Sequence, residues 1–584
     1  MCSILGGSNH TWKYDRAIQC MRHRGPDGIR VCPMEDFTLA FARLAIIDLS
    51  ESGMQPMFSD DDQVGIVFNG EIYGYQKLRS ELIRKGYQFR SRSDTEVVLN
   101  AYLEWGEQFI CRVDGMFGQA IYDKREKSIK LYRDRLGIKP LYYFFDGNHF
   151  GFASELKGIL KMCDAISFEI DHTAVYDYLN YSYIPEPKTY YKNVYKLLPG
   201  HCLIYDLHRN DIIKNVSYWK LKVNESQGTQ RKQDDLIEEL RILMEESIKE
   251  QIAADVPVGT FLSGGVDSGI VTYEGHKIDP QIETFSIGFA NTDYDESEYI
   301  YELAKQYQFR MNLKVFTRAE FKNQQVDIRR WFDEPFGDTS AYPTYMVSRL
   351  AKEKVSVVLT GDGGDEVFGG YWWQQLIRKK EEEHGPDNLL ISAIYKRVRQ
   401  NNTMDYFWMD ELEYLFPLNK QQIVLNDKKL RKCLGIDKDY DKLWYFRKYY
   451  CKDLPPMTRV QFLDLKTYLP SDILTKVDRT SMAVSLETRV PMLSKKLVEF
   501  SFSLSEEDRC PGGEQKGLLK RAYQDVIGKR ILYRTKMGFN MPYDYFNKQT
   551  SPQQYLLERI WQYNLGLGAV KKEYSGIGHE RAGG

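Results

Sequence analysis

Over roughly the first 200 residues, apolar positions gather in short runs bounded by Gly, Asp and Asn. TLAFARLAIIDL from Thr38, QVGIVFNG from Gln63, GQAIYD from Gly118 and SIKLYRD from Ser128 each predict a strand. Two stretches between them carry apolar residues at helical spacing. One follows Gly74, with Leu78, Leu82 and Ile83 expected on one face; the other follows the capping sequence Ser93-Asp94-Thr95-Glu96. Strand runs interrupted by helices predict layered sheets with helices outside, an α+β domain. After LPGHCLIYDL the pattern dissolves into KVNESQGTQRKQDD, Lys222 to Asp235, whose polarity predicts a linker. From Leu236 the order is helix, strand, helix: a helix to about Ala254, then VPVGTFL from Val256, TFSIGF from Thr284 and VSVVLT from Val355. That alternation predicts a parallel α/β sheet. Beyond Tyr371 the chain reads as helical and charged. The expected organisation is a first domain over 1–208, a linker over 209–235, a second domain over 236–560 and a loose tail over 561–584.

The bulk numbers agree with two or more domains, because 584 residues exceed one ordinary core. A formal net charge of -2 with mixed signs calls for neither a nucleic-acid nor a membrane partner. No apolar run is long enough to span a bilayer, and MCSILGGSNH has no secretion-signal pattern, so a cytoplasmic location is expected. Nine scattered cysteines, with no CxxC and no Cys/His spacing of metal-ligand type, favour neither a disulfide framework nor a zinc site. Aromatics at 14% suit large cores and a substantial inter-domain contact.

One thiol has special chemistry. If Met1 is removed, Cys2 owns the α-amino group, whose reference pKa of about 7.7–8.0 leaves part of it neutral and basic at cellular pH. The thiol beside it, with a reference pKa of about 8.5, is then a nucleophile with its base on the same residue. RHRGPDG (Arg22 to Gly28), ARLAIIDLS (Ala42 to Ser50), FNGEIYGY (Phe68 to Tyr75), SDTEV (Ser93 to Val97), DGMFGQAIYD (Asp114 to Asp123) and RDRLGIKPLYY (Arg133 to Tyr143) follow in that order.

Together with MCSILGG these motifs resemble the glutaminase domain of the class II, N-terminal-nucleophile amidotransferases, most closely the glutamine-hydrolysing asparagine synthetases. The resemblance implies an αββα sandwich in which Cys2 attacks the side-chain amide of glutamine. It implies that Asn69 and Gly70 stabilise the oxyanion, that Arg43 takes the α-carboxylate of glutamine, and that Glu71 and Asp94 hold its α-ammonium, with Asn69 also in the glutamine site. A planar guanidinium fork suits a carboxylate. Singly, Asn69-Gly70 also reads as a turn and Asp94 as part of a helix cap.

FLSGGVDS, Phe261 to Ser268, lies between a predicted strand and a predicted helix, so its N–H groups form a phosphate cradle. It lacks GK[ST] and is not a Walker A loop. It resembles the loop of ATP pyrophosphatases, which split ATP between the α and β phosphates. VVLTGDGGDEVFGGY, Val357 to Tyr371, is a second strand entering a glycine-rich acidic loop. The resemblance implies ATP contacts from Leu262, Ser263, Gly264, Gly265, Asp267, Ser268, Ile287, Thr360 and Gly361. It implies Mg²⁺ on Asp267 and Asp365, and Lys516 of KGLLKRAY neutralising charge as an acyl-adenylate forms and reacts. LPSDILTKVDRTSMAVSLETRVPML, Leu469 to Leu493, also matches the family, so the resemblance extends from Met1 to about Pro542. It implies a synthetase domain with a parallel sheet and a helical C-terminal part, a shielded ammonia tunnel, and allows a homodimer.

The chain departs from the family at the acceptor end. Where GEGSDE is usual it has GDGGDE, with Asp362 in place of Glu and Gly364 in place of Ser. Retracting a carboxylate by one methylene alters substrate positioning. The leading expectation is synthesis of asparagine from aspartate, glutamine and ATP. The alternative is the same machinery amidating a uronic acid of a surface polysaccharide or a peptidoglycan carboxylate. A non-catalytic sensor is disfavoured by Cys2, Asn69, Asp267 and Asp365 together, and a stand-alone glutaminase by the two intact loops.

Overall fold

The structure is a computed structural model that describes residues 2–226, 228, 231–290, 295–323, 330–384, 427–534 and 559–560. Twelve strands of the first domain run in chain order as β1 (Ser3–Gly7), β2 (Gly28–Pro33), β3 (Thr38–Arg43), β4 (Met57–Phe58), β5 (Val64–Ile72) and β6 (Gly115–Asp123). They continue as β7 (Ser128–Arg133), β8 (Tyr142–Phe145), β9 (Phe150–Ala153), β10 (Val194–Lys196), β11 (His201–Asp206) and β12 (Asp211–Ser217). Two six-stranded sheets result, ordered β10-β8-β9-β1-β3-β2 and β12-β11-β7-β6-β5-β4.

Side-chain alternation explains the layering. On β3, Leu39 and Phe41 enter the core between the sheets, where they meet Val67, Ala120 and Leu203 of the second sheet. Ala40 and Ala42 face the other way, under the helices Tyr14–Cys20 and Leu156–Met162. On β5, Val67 points inward while Ile66 and Phe68 meet Val98 and Tyr102 of the helix Asp94–Trp105. Both faces of these strands are apolar because both are covered, and the expected αββα sandwich follows. One helix follows Gly74 as expected, and Ser93 caps the other, its hydroxyl accepting from the Thr95 N–H. Ile83 departs from expectation: it is 53% exposed, whereas Leu82 is fully buried. The 100° step between neighbouring helix positions turns Ile83 to solvent.

The range 209–235, expected as a linker, contains β12, paired along its length with β11. It is an edge strand with Ile213 and Val216 exposed, so its composition lacks the apolar signature of a covered strand. The following helix starts at Gln233, three positions before Leu236.

The second domain holds β13 (Val258–Phe261), β14 (Glu283–Phe289), β15 (Arg310–Phe316), β16 (Val357–Leu359) and β17 (Glu487–Arg489), all parallel, in the order β15-β14-β13-β16-β17. Strand order reverses between β13 and β16. The loops leaving their carboxyl ends therefore open side by side at a topological switch point, the usual ligand crevice of such sheets. These loops are FLSGGVDS and TGDGGDE. Helices including Pro456–Lys466, Leu474–Met482 and Lys495–Ser503 make up most of the described C-terminal part, as expected. The strand β17 within it was not expected. The expected tail, 561–584, lies outside the described residues.

The two domains share a core. Met116, Leu136 and Ile138 of the first pack in one cluster with Leu493, Val498 and Leu518 of the second. Buried ion pairs cross the same boundary. Arg24 donates to both carboxylate oxygens of Asp478 at 2.7 and 3.0 Å, and Arg479 lies 2.9 Å from Glu155. Such charges are costly to bury unless paired, so they fix how the domains register.

Candidate active sites

Cys2 immediately precedes β1, which lies centrally in its sheet between β9 and β3. It is 8% exposed. The Cys2 N–H donates to Asn69 Oδ1 at 3.0 Å, and the Leu44 N–H approaches Sγ at 3.5 Å. Asn69 lies on β5 of the other sheet, so the site bridges both. Asn69 Nδ2 is buried and has no hydrogen-bond partner among the described residues, a donor ready for an incoming oxygen. Gly70 is sterically required: a Cβ there would stand 2.0 Å from Met116 O on the neighbouring strand. Burial pushes the Cys2 thiol above its ordinary value, so it needs a base to ionise at neutral pH.

Arg43 ends β3. Its Nη1 donates to Ser50 O at 2.6 Å and its Nη2 to Asp48 O. A Cβ on Gly53 would fall 2.3 Å from Nη2, so that glycine makes room for the guanidinium. Asp94 opens the helix Asp94–Trp105 and accepts from the Ile72 N–H at 2.8 Å. Burial raises its carboxyl to about 6 against the pull of backbone N–H groups. Glu71 is raised well above the carboxylate range, first by burial and then by the charge of Asp94, with Arg489 opposing. Two crowded, desolvated carboxylates form a site in want of a cation.

The resemblance implies that Asp94 meets the α-ammonium of glutamine; in that case protonation of Asp94 below about 6 would remove an attraction, and affinity would fall with acidification. Calorimetric titration of glutamine into Cys2→Ala protein is expected to show Kd rising by about tenfold per pH unit below that point. A Kd constant between pH 5 and 7 would remove Asp94 from the ligand set.

The residues that motif reading left without a role lie around this centre. Arg24, fully buried, donates from Nε to Cys2 O at 3.4 Å while its Nη atoms hold Asp478. Arg489 on β17 puts Nη2 3.3 Å from Glu71 Oε1. The signal available for Arg489 is the pair of charges in SLETRVPML, set among Leu486, Val490, Met492 and Leu493, since buried charges demand partners.

In the second centre, the loop after β13 and the loop after β16 touch. A Cβ on Gly361 would lie 2.7 Å from the Ser268 N, and one on Gly364 would lie 2.6 Å from Asp267 Cγ. Gly264 has φ +72°, a conformation open to glycine. Ser263 and Ser268 join through their hydroxyls at 3.0 Å, at the start of the helix Val266–Ile278. Asp267 and Asp365 converge on one lysine: Lys516 Nζ is 2.6 Å from Asp365 Oδ1 and also pairs with Asp267 Oδ2. Both carboxylates raise the pKa of Lys516 despite its burial. Lys516 adopts φ +54° at the start of the helix Gly517–Ala522, a strain of about 1–2 kcal/mol for a side chain other than glycine. Strain of this kind collects at functional positions.

Thr360, 2% exposed, donates its N–H to Arg489 O at 2.9 Å. Ile287 and Leu262 are both buried, but in different apolar clusters. Asp362 is raised by burial, with Lys476 opposing. Lys476 lies 3.3 Å from Asp338 and also feels Asp362 and Asp472. A compact cluster of Leu44, Ile46, Val357 and Met482 joins the neighbour of Cys2 to the strand that carries the second loop.

Comparisons agree with this two-centre layout. The sequence model described as "Glutamine amidotransferase domain" matches residues 1–219, and that described as "Asparagine synthase" matches residues 239–565. The chain is 33% identical over 561 residues to "Asparagine synthetase [glutamine-hydrolyzing] 1" of Bacillus subtilis, covering 93% of this chain and 87% of that protein. It is 40% identical over 381 residues to "Putative asparagine synthetase [glutamine-hydrolyzing] 2" of Methanocaldococcus jannaschii, covering 62% of this chain and 72% of that one. A "Putative asparagine synthetase [glutamine-hydrolyzing]" of Mycobacterium bovis is 31% identical over 569 residues, with 90% and 83% covered. No helix among the described residues is long and apolar enough to cross a membrane. With both domain types matched in series and whole-length relatives above 30% identity, the chain belongs to the glutamine-hydrolysing asparagine synthetase family and is a ligase whose amide nitrogen comes from glutamine.

Proposed function

We propose that this protein converts aspartate to asparagine in the cytoplasm, with ATP split to AMP and pyrophosphate. The observation that carries the reading is the convergence of Asp267 and Asp365 on Lys516, from two loops at the switch point of the parallel sheet. In the first centre the free α-amine of Cys2 takes the thiol proton, and the thiolate attacks the glutamine amide carbon. Asn69 Nδ2 and the Gly70 N–H receive the oxyanion. Arg43 binds the α-carboxylate, and Glu71 and Asp94 the α-ammonium. Ammonia leaves, and water later releases glutamate from the thioester. Passage beside the apolar Leu44, Ile46, Val357 and Met482 would keep ammonia from becoming ammonium, which cannot attack.

In the second centre the loop 263–268 receives the pyrophosphate part of ATP, with Thr360 and Gly361 opposite and Ile287 beside the adenine. Asp267 and Asp365 would hold a magnesium ion, which would supply charge neutralisation on the pyrophosphate. The donor set fits a hard cation: both donors are carboxylates, and Gly364 and Gly370 let the backbone come close to Asp267 and Asp365. Magnesium normally fills such partial sites with phosphate oxygens and water. Lys516, held between the carboxylates, would stabilise charge as the acceptor carboxylate attacks the α-phosphate. Ammonia then attacks the resulting aspartyl-AMP and AMP leaves.

The acceptor end favours an amino acid over a sugar acid. Lys476 can meet a carboxylate, and Asp338, Asp362 and Asp472 around it supply more negative charge than one lysine neutralises, which suits an α-ammonium. A uronic acid has no cation to offer there. Release of AMP and pyrophosphate is expected with aspartate and glutamine, and background release with glucuronate or a diaminopimelyl peptide. Turnover with either of the latter and none with aspartate would transfer the assignment to the alternative acceptor.

A further inference from the structure

Arg489 belongs to the synthetase sheet by its backbone and to the glutamine site by its side chain. Its carbonyl accepts the Thr360 N–H at 2.9 Å, which fixes β17 beside the strand leading into the nucleotide loop. The side chain is 1% exposed and is oriented by three contacts: Nε donates to Glu487 Oε1 at 2.6 Å, and Nη1 to Gln251 O at 2.7 Å and Ala253 O at 2.8 Å. These leave Nη2 facing Glu71 across the domain boundary, 3.3 Å from Oε1. At that contact no hydrogen bond is formed, and Nη2 has no hydrogen-bond partner among the described residues. The charged neighbours of Glu71 are Asp94, Glu487, Arg489 and the chain's α-amino group, and the Tyr73 hydroxyl lies buried beside them. Within the described residues Arg489 is the cation that pairs with Glu71. Arg489 opposes burial and the two neighbouring carboxylates, all of which favour the protonated acid that cannot hold an ammonium.

We propose that Arg489 is a positioning residue of the glutaminase centre, supplied by the synthetase domain, which orients Glu71 and lowers its affinity for a proton so that the carboxylate can meet the α-ammonium of glutamine. The inference rests on the reading of Glu71 given above. The guanidinium touches no reacting atom, so its effect belongs in glutamine binding more than in the chemical step.

The test is a double-mutant cycle on the full-length protein, reading KM and kcat for glutamine hydrolysis, with circular dichroism melting as a check on folding. Arg489→Met is expected to raise the glutamine KM by about ten- to a hundredfold, with kcat within about threefold of the parent. Arg489→Lys keeps a charge but not the three orienting contacts and is expected to raise KM by about three- to tenfold, which also serves if the methionine variant does not fold. Glu71→Gln alone is expected to raise KM as well, and adding Arg489→Met to it to cost less than about twofold more. If Glu71→Gln leaves KM unchanged, the reading of Glu71 fails. If Glu71→Gln raises KM while folded Arg489 variants do not, or if the two effects multiply fully, Arg489 does not act through Glu71.

Discussion

Replacing Cys2 by alanine is expected to remove glutamine-dependent amidation while synthesis from added ammonia continues. The thiol belongs to the residue whose backbone N–H meets Asn69 Oδ1, its Sγ lies 3.5 Å from the Leu44 N–H, and alanine has no nucleophile to put in its place. Loss of a nucleophile from such a unit costs roughly a thousandfold or more in kcat. Ammonia-driven turnover survives because Asp267, Asp365 and Lys516 share no contact with Cys2 among those described. The assay is AMP formation with glutamine and, in parallel, with ammonium chloride at mildly alkaline pH. Loss of both activities in a folded variant would contradict two separable centres. The same variant sharpens the role of the amine: protein that retains Met1 carries an amide at Cys2 N and is expected to behave like Cys2→Ala. Intact-mass measurement sorts the two species.

The mirror-image result is expected for Lys516→Met. Removing a preorganised charged donor costs about 10²–10³ in kcat. Here it also leaves Asp267 and Asp365 facing each other without the ammonium that both contact. AMP formation should therefore fall with either nitrogen source, while hydrolysis of glutamine to glutamate persists. The expected pair of variants thus divides the reaction into two halves, each lost alone. Equal loss of glutaminase activity in folded Lys516→Met protein would mean that the lysine acts through global structure.

How far the sequence reached depended on what each element buries. The strands β3, β5, β6 and β7 are covered on both faces and read as apolar runs. β12 is an exposed edge, so its mixed residues looked like connector. β17 is three residues long, and two of them are charged; its membership of the sheet rests on Val357, Val358 and Leu359 pairing with it across the fold, which no local pattern records. The site divides in the same way. Cys2, the NGE triplet and the two glycine-rich loops announce themselves because turns, close approaches and phosphate cradles restrict residue choice. Arg24 and Arg489 act across the domain boundary. Their partners Asp478 and Glu71 are hundreds of positions away, and only the folded chain brings them together. Asp362 remains the point at which the motif departs from the family, and the charges of Lys476, Asp338 and Asp472 around it are what turn the departure into a question about the acceptor.

The central claim is that one protein moves the amide nitrogen of glutamine onto a carboxylate that it has itself adenylated. Incubation with amide-¹⁵N glutamine, ATP, magnesium and aspartate, with no ammonium added, tests this directly. The expected result is asparagine carrying ¹⁵N in its side-chain amide, with one AMP and one pyrophosphate formed for each asparagine. Unlabelled asparagine, or ADP and phosphate in place of AMP and pyrophosphate, would contradict the account.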